Sequence, residues 1–378
     1  MSSIPLTVVT VVTVAPRCDC RRCDLYIHNP NAAEPICSGS SGCSYCSCAA
    51  TEYGARMNTC DQCPIRCGSR AGSNPMSSWV RDVGGTFSFD DIPAPAPLPD
   101  GLPRVIPVVD GMATDLDARA AWPAYGIGLR RVYSPLTWDV KPLWRDATAH
   151  EALRIPAERK IVLVGYGTDP LVEAFWTRRY SLYPFLAAKR FDLVLAPNYS
   201  MYGSQPRAEH LLNFRRSMLV AAEMVKEGIP AVPNIYWFRK EDLDRYLAWA
   251  ADVEPQALAL NLQTQRTTED WEVMVLPGLS YLAATLDPSI RLLVNGTIRP
   301  DRLTNLVELF GAERLTLFTQ SPIQEARHGK VIGVDGKVTV VKARPEDAFA
   351  MSVGNVATLV GELHRQVQER REVEVTDG

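Results

Sequence analysis

At 378 residues the chain is too long for one ordinary hydrophobic core, so it holds either two domains or a β/α barrel of roughly 250 residues with a small module attached. It is 46% hydrophobic and 22% charged with a formal net charge of −3, a composition typical of soluble globular proteins. That balance argues against holding nucleic acid by bulk electrostatics and leaves only a local basic groove for such a role.

The chain opens with Ile4-Pro5-Leu6-Thr7-Val8-Val9-Thr10-Val11-Val12-Thr13-Val14. This run has no basic segment before it and no clear small-residue cleavage site after it, and its β-branched residues favour a strand over a signal peptide. No later apolar run approaches the ~18 residues of a membrane helix, so the expected location is the cytoplasm and no membrane partner is expected.

All ten cysteines follow within one segment: Cys18, Cys20 and Cys23 as C-x-C-x2-C, Cys37 alone, Cys43, Cys46 and Cys48 as C-x2-C-x-C, and Cys60, Cys63 and Cys67 as C-x2-C-x3-C. Without an export signal, closely spaced thiols point to reduced, metal-bound thiolates rather than disulfides. Pro64 directly after Cys63 suits an iron–sulfur cluster. Two zinc sites of four thiolates each would use eight of the ten cysteines equally well. Either metal would supply the folding energy that a segment poor in large hydrophobes lacks. The expected organisation is a cysteine-rich metal-binding domain over 1–70, a Gly/Pro-rich linker over 71–103, a β/α barrel over 104–328, and a hairpin with a C-terminal helix over 329–378. Prolines at alternate positions in 93–99 make that part of the linker a semi-rigid spacer.

From residue 104 short apolar runs alternate with helical spacing. The runs are 105–109, 128–133, 160–165, 193–197, 231–235, 257–262, 291–294 and 315–319. Ile161-Val162-Leu163-Val164 is apolar on both faces, as a covered parallel strand requires. Helices are predicted over 208–227, ending at Gly228, over 241–251, and over 302–310, ending at Gly311. Eight such units predict an eight-fold β/α (TIM-like) barrel, with an open doubly wound parallel sheet as the alternative. A hairpin turning on Asp335-Gly336 and a helix over 345–371 complete the chain.

In either α/β arrangement chemistry sits at the carboxyl ends of the strands. Asp110 and Asp169 are the carboxylates there, candidates for general base or nucleophile, with Asp169 equally suited to capping the next helix. Asn198, Asn234, Asn261 and Asn295 close four successive runs, and Gln320 follows the last. Amides offer donors and acceptors without the desolvation cost of a charge, so this ring suits a neutral base-like or sugar-like ligand on which Tyr199, Tyr202, Tyr236 and Trp237 would stack. Each asparagine also suits a plain strand-ending turn. His150, His210 and His364 fall away from the strand ends and read as surface residues.

The stretch 191–333 resembles a bacterial and phage family of unestablished activity. The likeness rests on Pro197-Asn198-Tyr199-Ser200-Met201-Tyr202, on a helix carrying Asn213 and Arg215, on Val232-Pro233-Asn234-Ile235-Tyr236-Trp237, on Leu293-Val294-Asn295-Gly296, and on Gln320. It implies a fold and a pocket but no reaction. A second resemblance, through Cys18, Cys20 and Cys23, is to transglycosylase barrels that exchange bases in nucleic acid, whose zinc knuckle follows the barrel where this one precedes it. Two functions are consistent with these observations: a metalloenzyme acting on a nucleobase-like or nucleotide ligand at the barrel mouth, and a non-catalytic adaptor of a mobile element that binds nucleic acid or protein. In the second, Arg17, Arg21, Arg22, Arg56, Arg66 and Arg70 would contact phosphates. Oligomeric state is not set by the sequence.

Overall fold

A computed structural model describes Pro30 and residues 82–84, 86–109, 121–134, 137–201, 207–265 and 267–376. All ten cysteines, the 4–14 run, Asp110 and Tyr202 lie outside these residues, as does the metal-binding domain expected over 1–70 apart from Pro30. The chain divides into two compact units, Met1–Phe87 with Ser204–Leu212, and Ser88–Gly203 with Asn213–Gly378. The second unit carries the sheet.

Nine strands form one all-parallel sheet: β1 (Val105–Val109), β2 (Ala124–Gly128), β3 (Lys160–Val164), β4 (Leu193–Leu195), β5 (Ala231–Val232), β6 (Asn234–Ile235), β7 (Ala257–Asn261), β8 (Arg291–Asn295) and β9 (Leu315–Thr319). Their order is β5-β4-β3-β2-β1-β9-β8-β7-β6. The two ends of that order, β5 and β6, are consecutive in the chain and parted only by Pro233, which has no N–H to continue a ladder. β4 pairs with β5 and β6 with β7, and Ala259 N–H donates to the Pro233 carbonyl at 3.0 Å, so the sheet is nearly closed and barrel-like. A doubly wound sheet would need a reversal in strand order, and none occurs.

One strand departs from expectation. The second run was expected over 128–133, but β2 ends at Gly128 and α1 (Leu129–Val132) follows. Tyr125-Gly126-Ile127-Gly128 reads poorly as a strand because glycine lacks a side chain to pack. Here Gly126 is required by a neighbour, since a β-carbon on it would come within 2.9 Å of the Val108 side chain on β1.

Alternation along the strands sorts side chains to two faces. Ile106, Val108, Val162, Val164, Leu193, Leu195, Val232, Ala259, Leu293 and Phe318 form a cluster that fills the inside of the sheet, capped by Tyr166 at the carboxyl end. The intervening residues Ile161, Leu163 and Val194 pack outward with Phe175, Leu182 and Leu186 of α3 (Asp169–Lys189) and with Val220 and Met224 of α4 (Arg207–Lys226). Each fully buried side chain of this size contributes about 1.5–3 kcal/mol. After the short α2 (Ala149–Leu153), which precedes β3, the remaining crossovers are α5 (Lys240–Val253), α6 (Leu276–Thr285), α7 (Pro300–Phe310) and the short α8 (Ser321–Arg327).

The proline-rich stretch is not a free spacer. Ile92 accepts a hydrogen bond from the Trp249 indole at 2.8 Å, Ala96 N–H donates to Ala231 at 3.2 Å, and Leu98 N–H donates to the Gln256 side chain at 2.8 Å. Leu98 and Leu102 join the inner cluster. Because Ala231 and Gln256 stand where β5 and β7 begin, the segment runs across the amino ends of the strands and covers that end of the barrel-like sheet. The compact unit that carries the sheet begins at Ser88.

At the other terminus β10 (Lys330–Ile332) and β11 (Val338–Val340) form the expected antiparallel hairpin. It is fastened to α9 (Pro345–Thr376), where Ser352 Oγ accepts from Ile332 N–H at 3.1 Å and Asn355 donates to the Ile332 carbonyl at 2.8 Å. Among the described residues no helix is long and apolar enough to cross a membrane.

Candidate functional site at the carboxyl ends of the strands

The asparagines do more than end strands. Period-two alternation continues the inner face through Val232, Asn234 and Tyr236, through Ala259 and Asn261, and through Leu293 and Asn295, so β7 and β8 finish in an inward amide and the neighbouring β6 begins with one. Asn261 and Asn295 are register partners. Asn295 Nδ2 donates to Asn261 Oδ1 at 3.1 Å, and Asn261 Nδ2 donates to Asn198 Oδ1, beyond β4, at 3.3 Å. Gln263 N–H also donates to Asn261 Oδ1 at 3.2 Å. A backbone N–H can only donate, so this contact assigns the oxygen of Asn261 and hence the direction of the whole chain of amides. Asn234 is buried with its Oδ1 lacking a hydrogen-bond partner, and so is Tyr166 with its hydroxyl. Burial pushes the Tyr166 phenol up, so it stays neutral.

Asn198 and Asn261 open onto a cleft of about 660 Å³, shared with Asp169, Ser200, Tyr236 and Gln265. Asp169 was expected either to act as a general base or nucleophile or to cap its helix. Thr168 occupies the N-cap position, and Asp169 lies in the first turn of α3, where its Oδ1 accepts from Ser200 Oγ. Ser200 is held in turn: Asn213 Nδ2 donates to its carbonyl at 2.9 Å, and Arg216 donates to Asn213 Oδ1 at 2.9 Å while pairing with Glu173 at 2.6 Å. The Asp169 carboxylate is thus positioned by a relay reaching back between α3 and α4. Gln265 Nε2 donates to the Tyr236 hydroxyl at 2.9 Å. Burial pushes the Tyr236 phenol up, and the Gln265 hydrogen bond opposes that shift.

A second cleft of about 370 Å³ shares Gln265 and is bordered by Gln263, Thr297, Arg299, Arg302 and Gln320. Arg302 is buried, stacks 4.6 Å from the Trp271 ring centre, and donates to the carbonyls of Gln265 and Thr267, the latter at 2.9 Å. It fixes the loop after β7. A further cavity of about 640 Å³ lies beside Gln256 and Ile290 at the amino ends of the strands, the end associated with stability rather than chemistry.

No protein-family model matches the chain, and no curated protein matches it. The functional reading therefore rests on the geometry itself.

Of the sequence-predicted residues, Asp169, Asn198, Tyr236 and Asn261 meet at the larger cleft, with Asn295 behind them, and Gln320 borders the smaller one. Tyr199 touches the larger cleft, but its ring is fully buried beneath the Arg216 guanidinium, 3.8 Å from the ring centre, with Trp176 edge-on at 5.7 Å. Trp237 borders neither cleft: its indole N–H donates to the Met274 carbonyl at 3.3 Å, and its ring fills the space that a side chain at Gly278 would need. Of the three histidines expected at the surface, His210 is buried. Gln265, Thr297 and Arg302 were not foreseen. Only their tertiary neighbours distinguish them from ordinary loop and helix residues. Among the described residues, no three His, Cys, Asp or Glu side chains gather closely enough to hold a metal ion.

Proposed function

We propose that the sheet is an eight-fold β/α barrel and that its carboxyl-end cleft binds a neutral, hydrogen-bond-rich ligand of the nucleobase or nucleoside class. The directed amide chain carries this reading. With Asn198 Oδ1 occupied by Asn261, the Asn198 Nδ2 hydrogens are turned to donate elsewhere, and Asn198 lines the cleft. The Tyr236 hydroxyl, already accepting from Gln265, is likewise set to donate. Asp169 supplies the complementary acceptor. Two neutral donors facing one carboxylate match a ligand edge that has carbonyl or ring-nitrogen acceptors beside an N–H. The low polarity of the barrel interior beneath strengthens each such bond.

In this reading Asp169 is the general acid or base, oriented by Ser200, and Asp110 is the second carboxylate. The ten cysteines bind an iron–sulfur cluster or zinc. Titration calorimetry with the four ribonucleosides tests the cleft: the protein binds at least one of them, and Asn198→Ala weakens that binding by about tenfold, as expected for loss of one buried hydrogen bond. Incubation of the bound nucleoside followed by mass spectrometry tests the chemistry, with any conversion lost in Asp169→Asn. Absence of binding to all four would leave the adaptor function as the better account. Elemental analysis after anaerobic purification separates iron with sulfide from zinc.

A further inference from the structure

The smaller cleft differs in charge from its neighbour. Among the residues bordering it are two arginines, Arg299 and Arg302, and no carboxylate. Arg302 is buried and donates to the carbonyls of Gln265 and Thr267, and it is one of the residues that border the cleft. Burial and the neighbouring Arg299 lower its pKa, and the carboxylates of Asp301 and Asp270 oppose that shift.

The cleft also holds an unsatisfied donor. Thr297 borders it and is only 5% exposed, and its hydroxyl has no hydrogen-bond partner. Burying a hydroxyl without a partner is costly, so it either destabilises the free protein or awaits a ligand. Arg299 N-caps the eleven-residue α7 without any side-chain capping bond, and that helix begins at the cleft. The positive end of its dipole favours an anion there. Asp301 occupies the same turn and pairs with Arg299 at 2.7 Å, but both side chains are more than half exposed. An exposed pair of this kind exchanges partners at little cost.

We infer that this cleft, formed by Thr297, Arg299 and Arg302, is a phosphate subsite, and that it receives the phosphate of a nucleotide whose base lies in the adjoining cleft. The second half of this statement rests on the function proposed above. The two clefts share Gln265 in their linings, which places them side by side. The Thr297 hydroxyl donates to a phosphate oxygen, Arg299 leaves Asp301 to pair with the phosphate, and Arg302 contributes its charge from beneath.

The test is titration calorimetry on the full-length protein at fixed ionic strength, with inorganic phosphate, the four ribonucleosides, their 5′-monophosphates and a short single-stranded oligonucleotide as probes. The expected result is that a monophosphate binds at least about tenfold more tightly than its nucleoside, as a charge-assisted hydrogen bond implies. Thr297→Val and Arg299→Gln each remove most of that increment and leave nucleoside affinity unchanged. Asp301→Asn, which frees Arg299, strengthens phosphate binding. Thr297→Val buries no unpaired hydroxyl, so its melting temperature stays at or above that of the parent, which separates loss of binding from loss of fold. Nucleoside binding with no gain from the phosphate overturns this inference and leaves the base-binding reading standing. Phosphate binding that depends on Thr297, without nucleoside binding, has the opposite meaning. An oligonucleotide that binds much more tightly than any monophosphate assigns the site to a phosphodiester backbone and overturns the mononucleotide. If no probe binds, both readings fall.

Discussion

At the scale of single residues, the site is built on amide polarity. Asn261 stands in the middle: it accepts from Asn295 and from Gln263 N–H, and donates to Asn198. Asn261→Leu keeps the volume and removes all three bonds, leaving buried polar groups unpaired. Chemical denaturation should show a loss of about 1–3 kcal/mol, and nucleoside binding should disappear with it. Unchanged stability would mean that the amides do not form the chain described. The four asparagines and Asp169 were legible in the sequence as polar groups at run ends, because strand length and alternation are local properties. Their partners were not legible: Asn198 and Asn261 lie 63 positions apart, and Asn261 and Asn295 lie 34 apart. The same limit explains Trp237, an aromatic at the right place in the run whose ring is nevertheless claimed by Gly278 and Met274 on the neighbouring helical segment.

At the scale of elements, close approach of the backbone decides which loops are possible. Gly296, between β8 and α7, has φ of +107° and faces the Gln263 backbone, so a β-carbon there would lie 2.5 Å from the Gln263 Cα. Gly296→Ala is therefore strained in both conformation and space, and should cost about 2–4 kcal/mol as the two loops separate. A fall in melting temperature checks this, and a melting temperature within error of the parent would exclude the close packing of these loops. Gly165 has a packing role at the end of β3. Its N–H donates to Leu195 at 2.9 Å, and a β-carbon would meet that same carbonyl at 2.5 Å, so it is the residue that lets β3 and β4 converge at the mouth. Strand β2 shows the converse, since Gly126 weakened its signal in the sequence and is what the packing against Val108 demands.

At the scale of the whole chain, the segment from Ser88 to Leu102 belongs to the unit that carries the barrel-like sheet. Arg215, fully buried, donates to the Ser88 carbonyl at 2.7 Å and makes a two-pronged pair with Asp91, each bond 2.6 Å long. The Arg215 hydrogen bond holds the Asp91 carboxyl below its ordinary value of 3.8. A carboxylate with a lowered folded-state value adds stability above its unfolded value, and that contribution is lost as pH falls through the folded value. Asp91→Asn should therefore flatten the loss of stability below about pH 4, as followed by denaturation midpoints. An acid profile identical to the parent's would show that the pair is not coupled to folding. A chain beginning at residue 104 should likewise unfold at lower denaturant than one beginning at residue 88, because it leaves Leu98 and Leu102 out of the inner cluster and the Trp249 indole without the Ile92 carbonyl.

By itself the sequence determined the alternation of strands and helices, seven of the eight strand positions, the C-terminal hairpin and the polar character of the strand ends. These follow from periodicity, glycine caps and turn chemistry, all of which act within a few residues. Tertiary structure decided that the sheet nearly closes at Pro233, that the prolines of 93–99 cover its amino end, and that three of the amides join into one directed chain beside two arginines and an unpaired threonine. Those outcomes depend on which distant groups are brought within about 3 Å of one another, the range over which hydrogen bonds act. Local pattern holds no record of that choice, because the same asparagine or proline suits a solvated turn equally well until a partner arrives from another strand.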